Sequence, residues 1–295
     1  MKKFIAVSLA AMMLLSMSAC GGKTEEAPAE EAPVEVTEGA EAAEGAEEAA
    51  PAMTKLVVGM ECNYAPFNWT QVEENEHTVS LGGAGFTDGY DVQVSRYLAD
   101  QLGVELEIKK IEWTGLEPAL NAGEIDAIIA GMTDTPERRQ GADFTTPYYE
   151  SEMVCIVRAD DALAGATSLQ DFAGKKVLGQ LNTIYDEVID QIPDVDHKTP
   201  LATYPLMVVA LQSGDADALT AELPVATGVV ASNPELAIVK FEEGKGFVAD
   251  TSVSIAVKKG NTELLEKLQT ALDTISPEQR LEWMTTAVEH QPDLD

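Results

Sequence analysis

A nine-residue pattern occurs twice in this chain, 91 positions apart, and it narrows the folds open to it. Ala119-Leu-Asn-Ala-Gly-Glu-Ile-Asp-Ala127 and Ala210-Leu-Gln-Ser-Gly-Asp-Ala-Asp-Ala218 share A-L-x-[AS]-G-x-x-D-A. Each copy reads as the end of a helix, a glycine stop and the start of a buried strand. Chance similarity at one helix–turn–strand is the bland alternative. Two similar α/β lobes, each with its own sheet, explain the pair better.

The surroundings of both copies use the same grammar. Around the first, a strand at Leu56–Met60 is followed by a helix at Tyr90–Leu102, a strand over Val104–Ile108, a helix at Leu116–Ala122 and an apolar strand at Ile125–Gly131. Around the second come a strand at Lys176–Gly179, helices at Tyr185–Ile192 and Leu206–Ser213, and a strand at Ala216–Thr220. This alternation is that of parallel sheets covered by helices. Residues 69–88 are polar and Gly-rich and read as an exposed loop or hairpin. Thr251–Val257 alternates as a strand, and Thr262–Leu272 and Pro277–Ala287 read as closing helices.

The first 53 residues belong to neither lobe. Lys2 and Lys3 precede an apolar run, Phe4–Leu15, too short to span a bilayer and suited to a signal sequence. Met17-Ser18-Ala19-Cys20 resembles the bacterial lipoprotein processing box, which makes Cys20 the expected lipid attachment point. An ordinary signal peptide with a chance cysteine is the alternative. Residues 21–53 hold ten Glu, one Lys and no aromatic residue. Such a segment buries too little apolar surface to offset the entropy of ordering, and reads as a tether with a reach of ~30 Å. These features place the protein on the outer face of the cell membrane, held by lipid.

The whole chain carries a formal charge of −32 over 295 residues. That charge repels phosphate backbones and excludes nucleic acid as a partner. Most of it remains once leader and tether are removed, so the folded head is itself acidic. Cys62 and Cys155 are the remaining cysteines and read as two unpaired thiols, with no His or Cys at metal-ligand spacing. His77, His197 and His290 lack triad partners, and no Gly-x-Ser-x-Gly, His-Glu-x-x-His or Gly-x4-Gly-Lys-[Ser/Thr] occurs. The residues imply no enzyme, metal, cofactor or ATPase, and nothing in them argues against a monomer.

Ligands of open α/β sheets bind beyond the carboxyl ends of strands. Five residues after the shared Asp, the two strand ends fall at Gly131 and Glu222. After Gly131 come Thr133 and Thr135-Pro-Glu-Arg138, where the prolyl turn suits the start of a helix. An arginine there, beside free backbone N–H groups, suits a bidentate grip on a carboxylate. Glu222 on the opposite wall suits an ammonium. Together they describe an α-amino acid; spacing alone equally permits two solvated surface charges.

Seven ordered pieces carry a wider resemblance. They are Val58-Gly-Met-Glu-Cys-Asn-Tyr-Ala-Pro-Phe67, Gly89-Tyr-Asp-Val92, Trp113-Thr-Gly-Leu-Glu-Pro-Ala-Leu120, Gly123-Glu-Ile-Asp-Ala-Ile-Ile-Ala-Gly-Met-Thr133, Thr135-Pro-Glu-Arg138, Asp143-Phe-Thr-Thr-Pro-Tyr-Tyr149 and Ser213-Gly-Asp-Ala-Asp-Ala218. From about Lys55 to Gln291 the chain resembles the polar amino-acid binding family of bacterial ABC-importer solute-binding proteins.

The resemblance implies a two-lobed periplasmic-binding-protein-like fold. Lobe 1 is expected over 54–150 and 252–295, with lobe 2 (151–251) inserted, and two crossing strands near Glu150–Met153 and Phe247–Ser252 as hinge. By matching position, Arg138 would clamp the ligand carboxylate, aided by backbone N–H groups of Thr133 and Thr183. Glu222, where the family usually has Asp, would take the ammonium with the Thr133 hydroxyl and the Gly131 carbonyl. Tyr64 and Trp113 match an aromatic pair enclosing the ligand side chain, and Glu61 matches an acid facing its distal end. Glu61, with the acidic head, favours a basic amino acid (Lys, Arg, ornithine or His), whose cation would also gain from cation–π contact with Tyr64 and Trp113; a glutamine-like ligand is the alternative. The partners implied are a free L-amino acid, an ABC permease and its ATPase. A dehydratase-like enzyme, or a sensor or surface lipoprotein, is the alternative use of the fold.

Overall fold

A computed structural model describes residues 53–83 and 85–292. The expected signal sequence, Cys20 and nearly all of the acidic tether lie outside the described residues.

The chain opens with β1 (Lys55–Met60), then β2 (Asn63–Tyr64), β3 (Asn68–Gln71), β4 (Val79–Ser80) and β5 (Phe86–Asp88). α1 (Tyr90–Leu102), β6 (Glu105–Lys110), α2 (Leu116–Ala122), β7 (Ala127–Ile128) and β8 (Ala142–Phe144) follow. It then leaves for β9 (Met153–Arg158), β10 (Lys176–Leu178), α3 (Ile184–Glu187), β11 (Asp196–His197), α4 (Tyr204–Ser213), β12 (Ala218–Glu222), α5 (Leu223–Ser232) and β13 (Leu236–Val239). It returns as β14 (Ala256–Lys258), α6 (Thr262–Leu272) and α7 (Pro277–His290).

Two five-stranded sheets result, ordered β6-β1-β7-β14-β8 and β11-β10-β12-β9-β13. They are the same sheet twice. In each, the first three strands are parallel, the third follows the repeated motif, and the fourth is antiparallel to both its neighbours. The fourth strand, β14 or β9, is also the first that the chain makes after crossing between lobes. Leu56, Val58, Leu98, Leu116, Leu120 and Ile128 fill lobe 1; Val157, Phe172, Val177 and Ile189 fill the far face of lobe 2.

The repeat is a folding device with the same bonds in both copies. Gly123 (φ 77°) and Gly214 (φ 83°) take the left-handed conformation that ends a helix. The next N–H, of Glu124 or Asp215, donates to the carbonyl of Ala119 or Ala210, at 2.9 Å in each case. The shared aspartates then dock their strands on a neighbour. Asp126 N–H donates to the Val57 carbonyl (2.8 Å) and its carboxylate accepts from Val57 N–H (2.8 Å). Asp217 does the same with Lys176 (2.8 and 3.0 Å).

Several sequence expectations are corrected. Residues 69–88, read as an exposed loop or hairpin, take the hairpin form but are not wholly exposed: β3, β4 and β5 form a four-stranded antiparallel sheet with β2, and Trp69, Thr87 and Asp88 are buried. The strand expected over Ile125–Gly131 pairs only at Ala127–Ile128, because Gly131 (φ 62°) turns the chain and gives its N–H to the Tyr148 hydroxyl. Thr135-Pro-Glu starts only a short 3₁₀ turn at Arg138–Gln140, halted by Gly141. The Tyr185–Ile192 helix is one α turn followed by a 3₁₀ turn.

Cys62 and Cys155 are buried and unpaired. The two crossings lie side by side as extended chain with one antiparallel bridge, Tyr149 to Val253, instead of a ladder. Thr251 adds a hydroxyl bond to the Ser151 carbonyl. Among the described residues, no helix is long and apolar enough to cross a membrane.

Candidate functional site

The carboxyl ends of the two sheets point at one cavity between the lobes. Glu61, Tyr64, Trp113, Gly131, Thr133, Arg138 and Thr183 all line it, and Gln180, Ile184 and Tyr185 complete the lobe 2 wall. Glu222 lies behind Tyr64, whose hydroxyl donates to it. Seven of the eight residues expected from the sequence therefore line one cavity, and the eighth, Glu222, is screened from it by Tyr64.

The turn after Gly131 positions Arg138. Its side chain is 10% exposed and its guanidinium spreads over three acceptors. Nη1 donates to the Thr133 carbonyl (2.7 Å), Nη2 crosses to the Asn182 carbonyl in lobe 2 (3.1 Å), and Nε faces Glu117 at 3.4 Å. The group also stands 5.2 Å over the Trp113 ring. Burial pulls its pKa down, and Glu117 opposes that. Among the described residues, the N–H groups of Thr133 and Thr183 donate to no protein acceptor, Thr183 because it opens α3. A guanidinium with two free N–H groups at one end of a cavity forms an anion cradle.

The other end carries two buried carboxyl groups. Glu222 is fully buried at the end of β12, and its Oε2 has no hydrogen-bond partner. Burial pushes its carboxyl up to about 8, against the Tyr64 hydroxyl bond. Tyr64 is brought this close by Gly131: a Cβ there would sit 2.9 Å from Tyr64 Cε1. Glu61, at the end of β1, is 3% exposed and accepts from Gln180 Nε2 at 3.1 Å across the lobes. Burial pushes it up to about 7. Neither carboxylate pairs with a Lys or Arg among the described residues.

Residues 56–286 match the bacterial extracellular solute-binding proteins, family 3. The chain belongs to that family. Over 284 residues this family 3 protein is 27% identical to the arginine-binding extracellular protein ArtP of Bacillus subtilis, covering 96% of each chain. Its structure is similar to that of the amino-acid ABC transporter substrate-binding protein AbpA of Streptococcus pneumoniae bound to L-arginine. That likeness has a TM-score of 0.70 and 30% identity, over 80% of this chain and 94% of the other. It is also similar to an ancestral arginine-binding protein bound to glutamine, with a TM-score of 0.66 and 31% identity over 79% and 96% of the two chains. The two lobes of this solute-binding protein thus follow an architecture shared with amino-acid binding proteins.

Three participants escaped the sequence reading. Gln180 had a usable signal: like Glu61, it lies just beyond a parallel strand, at the position where open sheets bind. The Asn182 carbonyl takes both Arg138 and the Trp113 indole N–H (3.1 Å), a main-chain role that side-chain chemistry does not announce. Glu117 looked like an ordinary acid in the first turn of α2.

Proposed function

We propose that this family 3 protein captures a cationic L-amino acid, arginine foremost, outside the cytoplasm and delivers it to an ABC permease driven by a cytoplasmic ATPase. The observation that carries this reading is the charge at the cavity: two buried carboxyl groups, Glu61 in its wall and Glu222 just behind Tyr64, against one buried guanidinium, Arg138. A zwitterion with a cationic side chain neutralises all three. The α-carboxylate goes to Arg138 and the Thr133 and Thr183 N–H groups. The α-ammonium goes to Glu222, the Thr133 hydroxyl and the Gly131 carbonyl, and the side-chain cation reaches Glu61 past Tyr64 and Trp113. A neutral amino acid leaves one buried carboxylate without a partner, which costs several kcal/mol or forces its protonation.

Lobe 1 comprises 54–150 and 252–295, and lobe 2 comprises 151–251, so the ligand contacts are split between them. Only closure about the two crossings makes both sets, and the ligand therefore shifts the population to the closed form. Cys20 carries the lipid anchor, and 21–53 holds the head off the membrane. The work is binding, without catalysis.

Calorimetry with a panel of amino acids tests the ligand: tight arginine or lysine binding is expected, and tight glutamine binding without either refutes it. Arg138→Ala should abolish binding while the circular dichroism spectrum is kept. A neutral polar ligand is the second reading, favoured by Glu61 itself: near its raised pKa of about 7 it can donate to an amide oxygen.

A further inference from the structure

Behind the site, in the core of lobe 1, lies a third carboxylate that none of these roles uses. Asp91, in the first turn of α1, is fully buried. It accepts from the Tyr148 hydroxyl (2.6 Å) at Oδ1 and from Asn68 Nδ2 (2.7 Å) at Oδ2. Each donor passes the bond onward to a main-chain group, one at Gly131 in the cavity wall and one at Cys62, next to the wall residue Glu61. The Tyr148 oxygen accepts Gly131 N–H (3.0 Å), and Asn68 Oδ1 accepts Cys62 N–H (2.7 Å).

Both recipients have conformations that need holding. Gly131 has φ 62° and Cys62 has φ 56°, the latter in a residue with a Cβ. Gly131 is the residue against which Tyr64 packs, and Cys62 sits between Glu61 and Tyr64. One carboxylate therefore ties down two chain segments, far apart in sequence, that carry the carboxyl-bearing end of the cavity. Among the described residues no cation compensates it; burial pushes it up to about 7, and its charge in turn opposes ionisation of Glu222. An uncompensated buried carboxylate is costly, and an apolar side chain at that position would not hold the two loops.

We propose that Asp91 is a positioning residue for ligand recognition: through Tyr148 and Asn68 it sets the main chain at Gly131 and Cys62, and with it the placement of Tyr64, Glu61 and Glu222. This assignment rests on the reading of that end as the ammonium and side-chain site.

The polarity of the relay supplies the test. In Asp91→Asn one acceptor becomes a donor, so either the Tyr148 hydroxyl or the Asn68 amide loses its partner. In the reciprocal variant N68D/D91N the amide introduced at 91 donates to the carboxylate introduced at 68, which still accepts Cys62 N–H, while Tyr148 keeps its acceptor. Every link survives with one donor reversed.

Asp91→Asn is expected to weaken arginine binding at least tenfold and to shift the Gly131 and Cys62 amide resonances of the ligand-free protein. N68D/D91N should return affinity to within threefold and both resonances toward the parent. Val94→Ala, a packing change on the same buried face of α1, should lower the melting temperature and leave affinity and both resonances unmoved. Parent-like affinity in Asp91→Asn, or a reciprocal variant no better than Asp91→Asn, overturns the proposal. Should Asp91→Asn fail to fold, the reciprocal variant decides alone: folded with affinity within threefold supports the relay, and unfolded or tenfold weaker overturns it. If the parent binds no amino acid, the ligand reading fails, and the amide resonances still decide the relay.

Discussion

Glu222 is where stability and binding are expected to pull in opposite directions. Its carboxyl rises from 4.5 to about 8, first because it is buried; the Asp91 charge adds to the rise, and no cation among the described residues pairs with it to hold it down. A folded-state pKa above the unfolded one means the folded protein holds more protons through that window. Its stability therefore falls as pH rises from about 4.5 and levels off above about 8. At about 1.4 kcal/mol per unit, raising the pH from about 5.5 to about 9 costs the ligand-free protein about 3 kcal/mol through this group alone. Glu222→Gln removes the charge and keeps an oxygen to accept from Tyr64. The amide nitrogen replaces Oε2, which already lacks a partner, so no established bond is broken.

Urea denaturation of ligand-free parent and variant, each at both pH values, isolates the group because all other titrations cancel in the difference. The variant should lose about 3 kcal/mol less than the parent across the range, and calorimetry should show its arginine affinity down at least a hundredfold. Equal pH sensitivity in the two proteins, within about 1 kcal/mol, would show that Glu222 ionises freely in the fold and would sink the charge argument for the cavity.

Two further outcomes follow from the same geometry. With Glu61 titrating near 7 and Glu222 near 8, arginine binding at neutral pH should expel about one proton, and affinity should rise with pH between about 6 and 8.5. Calorimetry in buffers of different ionisation enthalpy measures this, and Glu61→Gln should cut both the proton release and the preference for arginine over glutamine, the latter by about tenfold to a hundredfold. Gly131→Ala places a Cβ 2.9 Å from Tyr64 Cε1 on a backbone with φ 62°; it should cost about 1–3 kcal/mol of stability. It should also weaken arginine binding as Tyr64 is displaced, and an unchanged Kd would contradict the close approach.

What could be read from the residues, and what could not, divides along physical lines. α1 is found at its full extent because Gly89 and Gly103 bracket it and its apolar residues keep helical spacing. The A-L-x-[AS]-G-x-x-D-A repeat reveals two lobes because its glycine and aspartate make local bonds that recur wherever that turn does. Strand lengths were overdrawn because apolar runs such as Ile125–Gly131 stay buried after their pairing ends. At the site, position after a strand singled out Arg138 and Glu222, but spacing alone equally permitted two solvated surface charges, and only the family resemblance chose between the readings. The Asn182 carbonyl and the Gln180–Glu61 bond depend on contacts between lobes that no local pattern encodes. Asp91 was hidden for a different reason: an acid in a first helical turn is so ordinary that its burial leaves no trace in composition.

The place of β14 has a consequence for the order in which this molecule is built. In lobe 1, β7 and β8 are not paired; β14 lies between them and, among the described residues, is the strand that β8 pairs with. All five strands of the second sheet are made by Val239, whereas the first stays split until Lys258 has been synthesised. A chain growing from its N-terminus therefore completes its inserted half before its enclosing half. The larger lobe spends that interval with a gap through its centre, closed when β14 is made. Loss of the C-terminal segment would accordingly fall on the lobe that begins the chain.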